Sequence, residues 1–132
     1  MPAANMPLVK IHLRRGKSNE YLRSVADAIH EALVSQANVP ADDRFQIVCE
    51  YGEDAIIAHP TYAGCDRSRD LIIIEITLNA GRTVEIKRNL YADIAARLGR
   101  AADVRPDDVL VNLVEVTKEN WSFGKGIATY AS

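Results

Sequence analysis

Cysteine is scarce in this sequence: Cys49 and Cys65 are the only two among 132 residues. Two cysteines make no disulfide framework, and in a reducing compartment such residues are expected to be small packed side chains. An excess of charge of one sign is also missing. Sixteen Lys and Arg stand against eighteen Asp and Glu, a formal net charge of −2, with no long basic run to neutralise phosphates. Nucleic acid is therefore not an expected partner. Long apolar runs are lacking too. The run Leu71 to Ile74 falls far below the ~20 residues needed to cross a bilayer, and the opening MPAANMPLVK has no signal-peptide h-region. A cytoplasmic protein with no membrane partner is expected. What is present, 48% apolar and 26% charged residues, is the balance of a globular chain with a real core, and the length suits one domain.

Residues 7–14 alternate, with Val9, Ile11 and Leu13 on one face and Lys10, His12 and Arg14 on the other, which predicts a half-buried strand. Gly16 breaks it. Ser18 can cap a helix in which Leu22, Val25, Ala26, Ile29, Ala32 and Leu33 recur at helical spacing over roughly five turns. Asn38 and Pro40 end that helix, and Phe45, Ile47, Cys49 and Tyr51 resume the strand pattern. A short strand is possible at residues 55–58. Residues 59–70 form a loop whose mixed charges, Asp66-Arg67-Ser68-Arg69-Asp70, suggest a solvated surface. Residues 71–78 are almost continuously apolar and β-branched, the pattern of a central strand covered on both faces. Asn79-Ala80-Gly81 turns the chain. Thr83 can cap a second helix with the inward stripe Ile86, Leu90, Tyr91, Ile94, Ala95 and Leu98; Arg105-Pro106-Asp107 stops it, and residues 109–116 read as the last strand.

The two halves repeat one order, strand, helix, strand. The expected fold class is α/β (α+β): duplicated β-α-β units forming a four-stranded sheet with two helices on one face. The opposite face then needs cover, and oligomerisation is one way to supply it. Ferredoxin-like domains share this order and many of them only bind ligands, so element order alone does not give function. Several motifs are fragments. His30-Glu31 lacks the second histidine of H-E-x-x-H, since position 34 is Val. His12, His30 and His59 show no metal-ligand spacing and read as surface or satisfied structural residues. Gly124-Lys125-Gly126 has no helix after it and reads as a tail or hairpin, and Asp107-Asp108 reads as a turn.

Met6-Pro7-Leu8-Val9-Lys10 opens the first strand with Met-Pro. This resembles the tautomerase superfamily, in which removal of Met leaves an amino-terminal proline as the catalytic group. The resemblance extends across nearly the whole chain from Pro7. Val39-Pro40 followed by Asp42-Asp43-Arg44-Phe45-Gln46, the helix entry Gly81-Arg82-Thr83, and Asn120-Trp121-Ser122-Phe123-Gly124 are closest to the malonate semialdehyde decarboxylase branch. On this reading residues 1–6 are an N-terminal extension and residues 7–132 a single tautomerase-like domain. A free prolyl amine titrates near ~8, burial or a neighbouring cation lowers that value, and the ring holds the nitrogen rigidly.

The resemblance implies that Pro7 is the general base or acid. It implies that Arg82 is the cation for a substrate carboxylate and the developing enolate, a task suited to a planar guanidinium. Asp43 would orient water or the substrate carbonyl, with a plain turn acid as the other reading of this residue. Trp121 and Phe123, with Asn79, would contact substrate, although packing alone could account for the aromatics. The decarboxylases resemble Arg-Pro-Arg-Thr before the second helix, whereas Ala80-Gly81-Arg82-Thr83 keeps only the second arginine. Proton transfer, keto–enol tautomerisation of a small 2-oxo or 3-oxo acid, is the first expectation. Decarboxylation or hydration of a 3-oxo or unsaturated acid is the second, and a non-catalytic ferredoxin-like module the third. None of these requires a metal, nucleotide or organic cofactor, and a homotrimer is expected. Residues 1–5 pose one question: an amide nitrogen at Pro7 has no basic lone pair. Either the working chain begins at Pro7, or Pro2 is the terminal proline on an arm that folds back, or the activity is lost.

Overall fold

A computed structural model describes residues 7–130. The expected extension, with Met6 and Pro2, lies outside the described residues. The elements are β1 (Leu8–Arg14), α1 (Asn19–Gln36), β2 (Phe45–Tyr51), β3 (Ile72–Asn79), α2 (Val84–Ala102) and β4 (Val109–Val116), with single 3-10 turns at Glu53–Ala55, Tyr62–Gly64, Pro106–Asp108 and Lys118–Asn120. The sheet order is β2-β1-β3-β4. β1 runs parallel to β2, β3 parallel to β4, and the central pair β1 and β3 antiparallel. The expected α+β architecture is therefore the observed one.

Both helices start as the sequence predicts. Ser18 Oγ accepts from Tyr21 N–H at 3.1 Å and Thr83 Oγ1 from Ile86 N–H at 3.2 Å, each satisfying a donor that the first helical turn leaves open. Both also end alike. Asn38 (φ 57°) and Asp103 (φ 55°) turn left-handed, and the next residue reaches back, Val39 N–H to Leu33 O and Val104 N–H to Leu98 O, each at 3.3 Å. The second helix thus stops at Asp103, ahead of the expected Arg105-Pro106-Asp107, because Asp tolerates the left-handed conformation.

The core lies between the helices and one sheet face, where Val9, Ile11, Leu13, Ile72, Ile74, Ile76 and Leu78 meet Ile29, Leu33, Leu90, Ile94 and Leu98. Four expectations are corrected. Residues 55–58 form no strand: the chain makes one 3-10 turn at Glu53–Ala55 and then runs free of the sheet. β3 is buried on alternate residues as far as Leu78, with Asn79 also buried at its end, while Ile73, Glu75 and Thr77 on the other face stay partly exposed in the single chain. Tyr91, placed in the inward stripe, is 38% exposed, and the buried stripe of α2 is Leu90, Ile94 and Leu98. Cys49 and Cys65 are unpaired and half-buried rather than fully packed.

The 59–70 loop is stapled more than its charges suggested. Asp108, 1% exposed, accepts from Ser68 N–H at 2.7 Å and from Ser68 Oγ at 2.6 Å, so the acid expected in a simple turn is a buried clamp. His30 is also buried, its Nε2 donating to Ala41 O at 2.8 Å, which is the satisfied structural role expected of it.

Candidate active site

β1 begins at Leu8, paired with Phe45 on one side and Thr77 on the other. Neighbouring strands lie ~4.8 Å apart. Pro7, one residue earlier and buried, therefore comes alongside the start of β2 and the Leu78–Asn79 end of β3. Asp43 precedes β2 by two residues. β4 ends at Val116, opposite Asn79, so the segment bearing Trp121 and Phe123 leaves the sheet at the same edge. The topology brings Pro7, Asp43, Asn79, Arg82, Trp121 and Phe123 to one end of the sheet from four separate stretches of chain.

Arg82 sits one residue before the cap of α2 and is half-buried. Its Nε and Nη2 donate to Ala37 O at 3.1 and 2.9 Å, and its Nη1 donates to Asn79 O at 3.0 Å. The guanidinium is thus held in one plane by the end of α1 and the end of β3. Burial pushes its pKa below the ordinary arginine value, against the opposing field of Glu115; such a group remains a cation at neutral pH. It lines an open hollow of about 290 Å³ with Ala37, Asn38, Gly81 and Ile86. Glu115 of β4 braces the loop beside it, accepting from Lys87 Nζ at 3.0 Å. That hydrogen bond, and then the Gly81 N–H and the Arg82 charge, hold the Glu115 carboxyl below its usual range.

The aromatic side chains form a ladder. The Trp121 and Phe123 rings stack with centroids 5.1 Å apart and planes at 12°, and Phe123 stacks in turn on Phe45 at 5.7 Å. Tyr130 meets the Phe123 edge at 5.5 Å. Offset stacks and edge contacts of this kind are each worth ~0.5–1.5 kcal/mol beyond the area they bury. Trp121 Nε1 donates to Asn79 Oδ1 at 2.7 Å. Asp43 is half-buried, and its N–H donates to Pro40 O at 3.0 Å, closing the turn before β2. Two other arginines serve elsewhere: Arg44, beside the site, donates to Gln46 Oε1 and to Asp27 Oδ1 of α1, and Arg14 lies at the far end of β1 on the carbonyls of Glu53, Ile56 and Arg69. The sequence reading passed over Phe45, Tyr130 and Glu115. Phe45 showed as one beat of a strand and as part of the Asp42–Gln46 motif, with no sign of its stacking partner 78 positions later.

The chain matches the tautomerase enzyme family over residues 43–124, and a second tautomerase enzyme family over residues 7–64, a match that opens at Pro7. A probable tautomerase of Bacillus subtilis (strain 168), YusQ, is 40% identical over 93% of this chain and 97% of its own. The chain belongs to the tautomerase family. Among solved structures, FG41 malonate semialdehyde decarboxylase inhibited by 3-bromopropiolate is 39% identical with a TM-score of 0.87, covering 93% of each chain. A second malonate semialdehyde decarboxylase, described for its decarboxylase and hydratase activities, is 34% identical with a TM-score of 0.85, over 92% of this chain and 93% of its own. The tautomerase therefore sits in the branch nearest malonate semialdehyde decarboxylase, as its motifs implied, and is an enzyme of isomerase or decarboxylase type.

Proposed function

We propose that this tautomerase moves a proton between carbon and oxygen of a small 2-oxo or 3-oxo acid through the amine of Pro7. The observation that carries the reading is the convergence at one sheet end: a buried proline, a guanidinium fixed by two main-chain carbonyls, and an aromatic wall. The Arg82 fork binds the substrate carboxylate and stabilises the enolate charge, the kind of interaction that matters most where charge develops. Asp43 orients a water or the carbonyl. Trp121 presents a ring to the substrate and limits water in the pocket. In the enol-to-keto direction the substrate carbon gains a proton and the enol oxygen loses one, with Pro7 as the carrier. Decarboxylation or hydration of a 3-oxo or unsaturated acid is the second reading. It is favoured by the 34% identical relative described for both activities and disfavoured by the single arginine at the helix entry.

This chemistry needs a free terminal amine and is best served by a secondary one, so on this reading the working chain begins at Pro7. Phenylenolpyruvate ketonisation by chains starting at Met1 and at Pro7, with intact-mass measurement of the natural start, tests it. The Pro7 form should be active, with a limb in its pH profile displaced below the ordinary α-amino value of ~8. The Met1 form should be much weaker, because acylation removes the lone pair. Pro7→Ala in the short form should lower activity without abolishing it, since a primary terminal amine remains. Equal activity in both forms, insensitive to Pro7→Ala, would overturn the proposal. Activity that follows Pro2 would move the amine to the extension.

A homotrimer accompanies this reading. The sheet face away from the helices carries Phe45, Ile47 and Val114, each at least 40% exposed in the single chain, and a fused 4-OT of the same fold is a symmetric trimer.

A further inference from the structure

We propose that Asn79 is a positioning residue that joins the cation and the aromatic wall of the site into one unit, through its side chain to Trp121 and through its main chain to Arg82. The inference rests on the proposed proton-transfer role of this site and revises the expectation that Asn79 itself contacts substrate. Asn79 is 7% exposed, the last residue of β3 and the register partner of Val116. Its Oδ1 accepts from Trp121 Nε1 at 2.7 Å while its carbonyl accepts from Arg82 Nη1 at 3.0 Å. A single residue at a rigid strand end therefore sets the separation of two groups that enter from opposite directions, Arg82 ahead of α2 and Trp121 after β4. Trp121 leads the stack Trp121, Phe123, Phe45, so the indole hydrogen bond also fixes where that stack sits over the start of β2. Small displacements of a binding wall lower catalysis well before they unfold a domain.

Trp121 is the sole tryptophan of the chain, so tryptophan fluorescence reports the surroundings of this one indole. Asn79→Leu keeps similar bulk and removes the acceptor; Asn79→Asp keeps an oxygen for the indole N–H. In the Pro7-starting chain, Asn79→Leu should shift Trp121 emission and raise its quenching by acrylamide, whereas Asn79→Asp should quench like the parent. With phenylenolpyruvate, Asn79→Leu should lower kcat/KM severalfold in the parent and have little further effect in a Trp121→Phe background, as expected of residues acting through one contact. Unchanged quenching in a folded Asn79→Leu, or an equal loss of kcat/KM in both backgrounds, would overturn the proposal. If Asn79→Leu does not fold, altered quenching in Asn79→Asp would overturn it instead, because the indole would then ignore the retained acceptor. A parent inactive on phenylenolpyruvate would count against the proposed function alone, since the fluorescence comparison still decides whether Asn79 seats Trp121.

Discussion

At the scale of single residues, Arg82 has two duties that a substitution can separate. Its guanidinium carries the charge proposed for substrate and also ties Ala37 to Asn79 through main-chain carbonyls. Arg82→Ala is expected to lower kcat/KM by about 10²–10³, and, because two carbonyls lose a charged donor in a half-buried setting, to cost ~1–3 kcal/mol in urea unfolding. That stability loss exceeds what a helix-entry arginine suggests from sequence alone. Arg82→Lys keeps the charge and loses the planar fork, so it should recover less activity than charge alone would provide. A variant Arg82→Ala that turns over phenylenolpyruvate like the parent would remove Arg82 as the cation. Most residues of the candidate site could be named from the sequence because Pro7, Asp43, Arg82, Trp121 and Phe123 are chemically distinctive and sit in recognisable motifs. What was not legible is how they are held: that Asn79 accepts from an indole 42 positions away, or that Phe45 closes a ring stack, depends on which chain ends the fold brings together.

At the scale of elements, α1 is fastened to the entry of β2 by Arg44, whose Nη2 donates to Asp27 Oδ1 at 2.6 Å. That hydrogen bond, first among the causes, holds the Asp27 carboxyl below its ordinary range against the opposing effect of burial. A depressed carboxyl contributes stability above its ordinary pKa of ~4 and loses it as pH falls through the lower folded value. The pair is partly exposed, so the effect is modest. Arg44→Ala should flatten the fall of the urea midpoint between about pH 5 and pH 3, and an unchanged slope would mean that Asp27 draws its stabilisation elsewhere. β2 and β4, the start of β1 to within one residue, and the caps Ser18 and Thr83 were legible because alternation and capping are local patterns. Residues 55–58 were misread for the same reason. Four apolar residues satisfy a strand pattern, but only a hydrogen-bonding neighbour makes a strand, and both sheet edges lie elsewhere.

For the whole molecule, the open face of the sheet is the feature on which the proposed trimer rests. Its apolar side chains alternate with a polar set in which His12 bridges Tyr51 Oη at 2.6 Å and Glu75 Oε1 at 2.5 Å. Ile57, on the loop beyond β2, is 96% exposed. A face of this kind on a 132-residue chain is the kind that second copies cover. Light scattering at micromolar concentration should therefore report three subunits, and Ile47→Lys, on that face, should shift the population toward monomer. A stable monomer in the parent would overturn the trimer and leave the family assignment untouched. The continuous apolar run of β3 pointed to cover on both faces; the single chain supplies one of them.

The matched helix ends have a consequence for where chemistry can happen. Ser18 and Thr83, Asn38 and Asp103, and the registers Leu8 with Phe45 and Ile72 with Val109 relate the halves by an approximate twofold axis. That axis carries Arg82 to Lys17 and Pro7 to Leu71, and with them the hollow beside Arg82 to one of about 350 Å³ lined by Lys17, Asp103 and Arg105. A mid-chain residue has its nitrogen locked in a peptide bond, so the far pole can never offer a free amine, whatever residue stands there. Its counterparts are spent on cohesion instead: Leu71 is wholly buried, Lys17 pairs with Asp70 at 2.9 Å, and Asp108 clamps Ser68. On the proposed start at Pro7, covalent connectivity, more than side-chain chemistry, makes the two poles unequal, because a chain of two like halves has only one amino terminus.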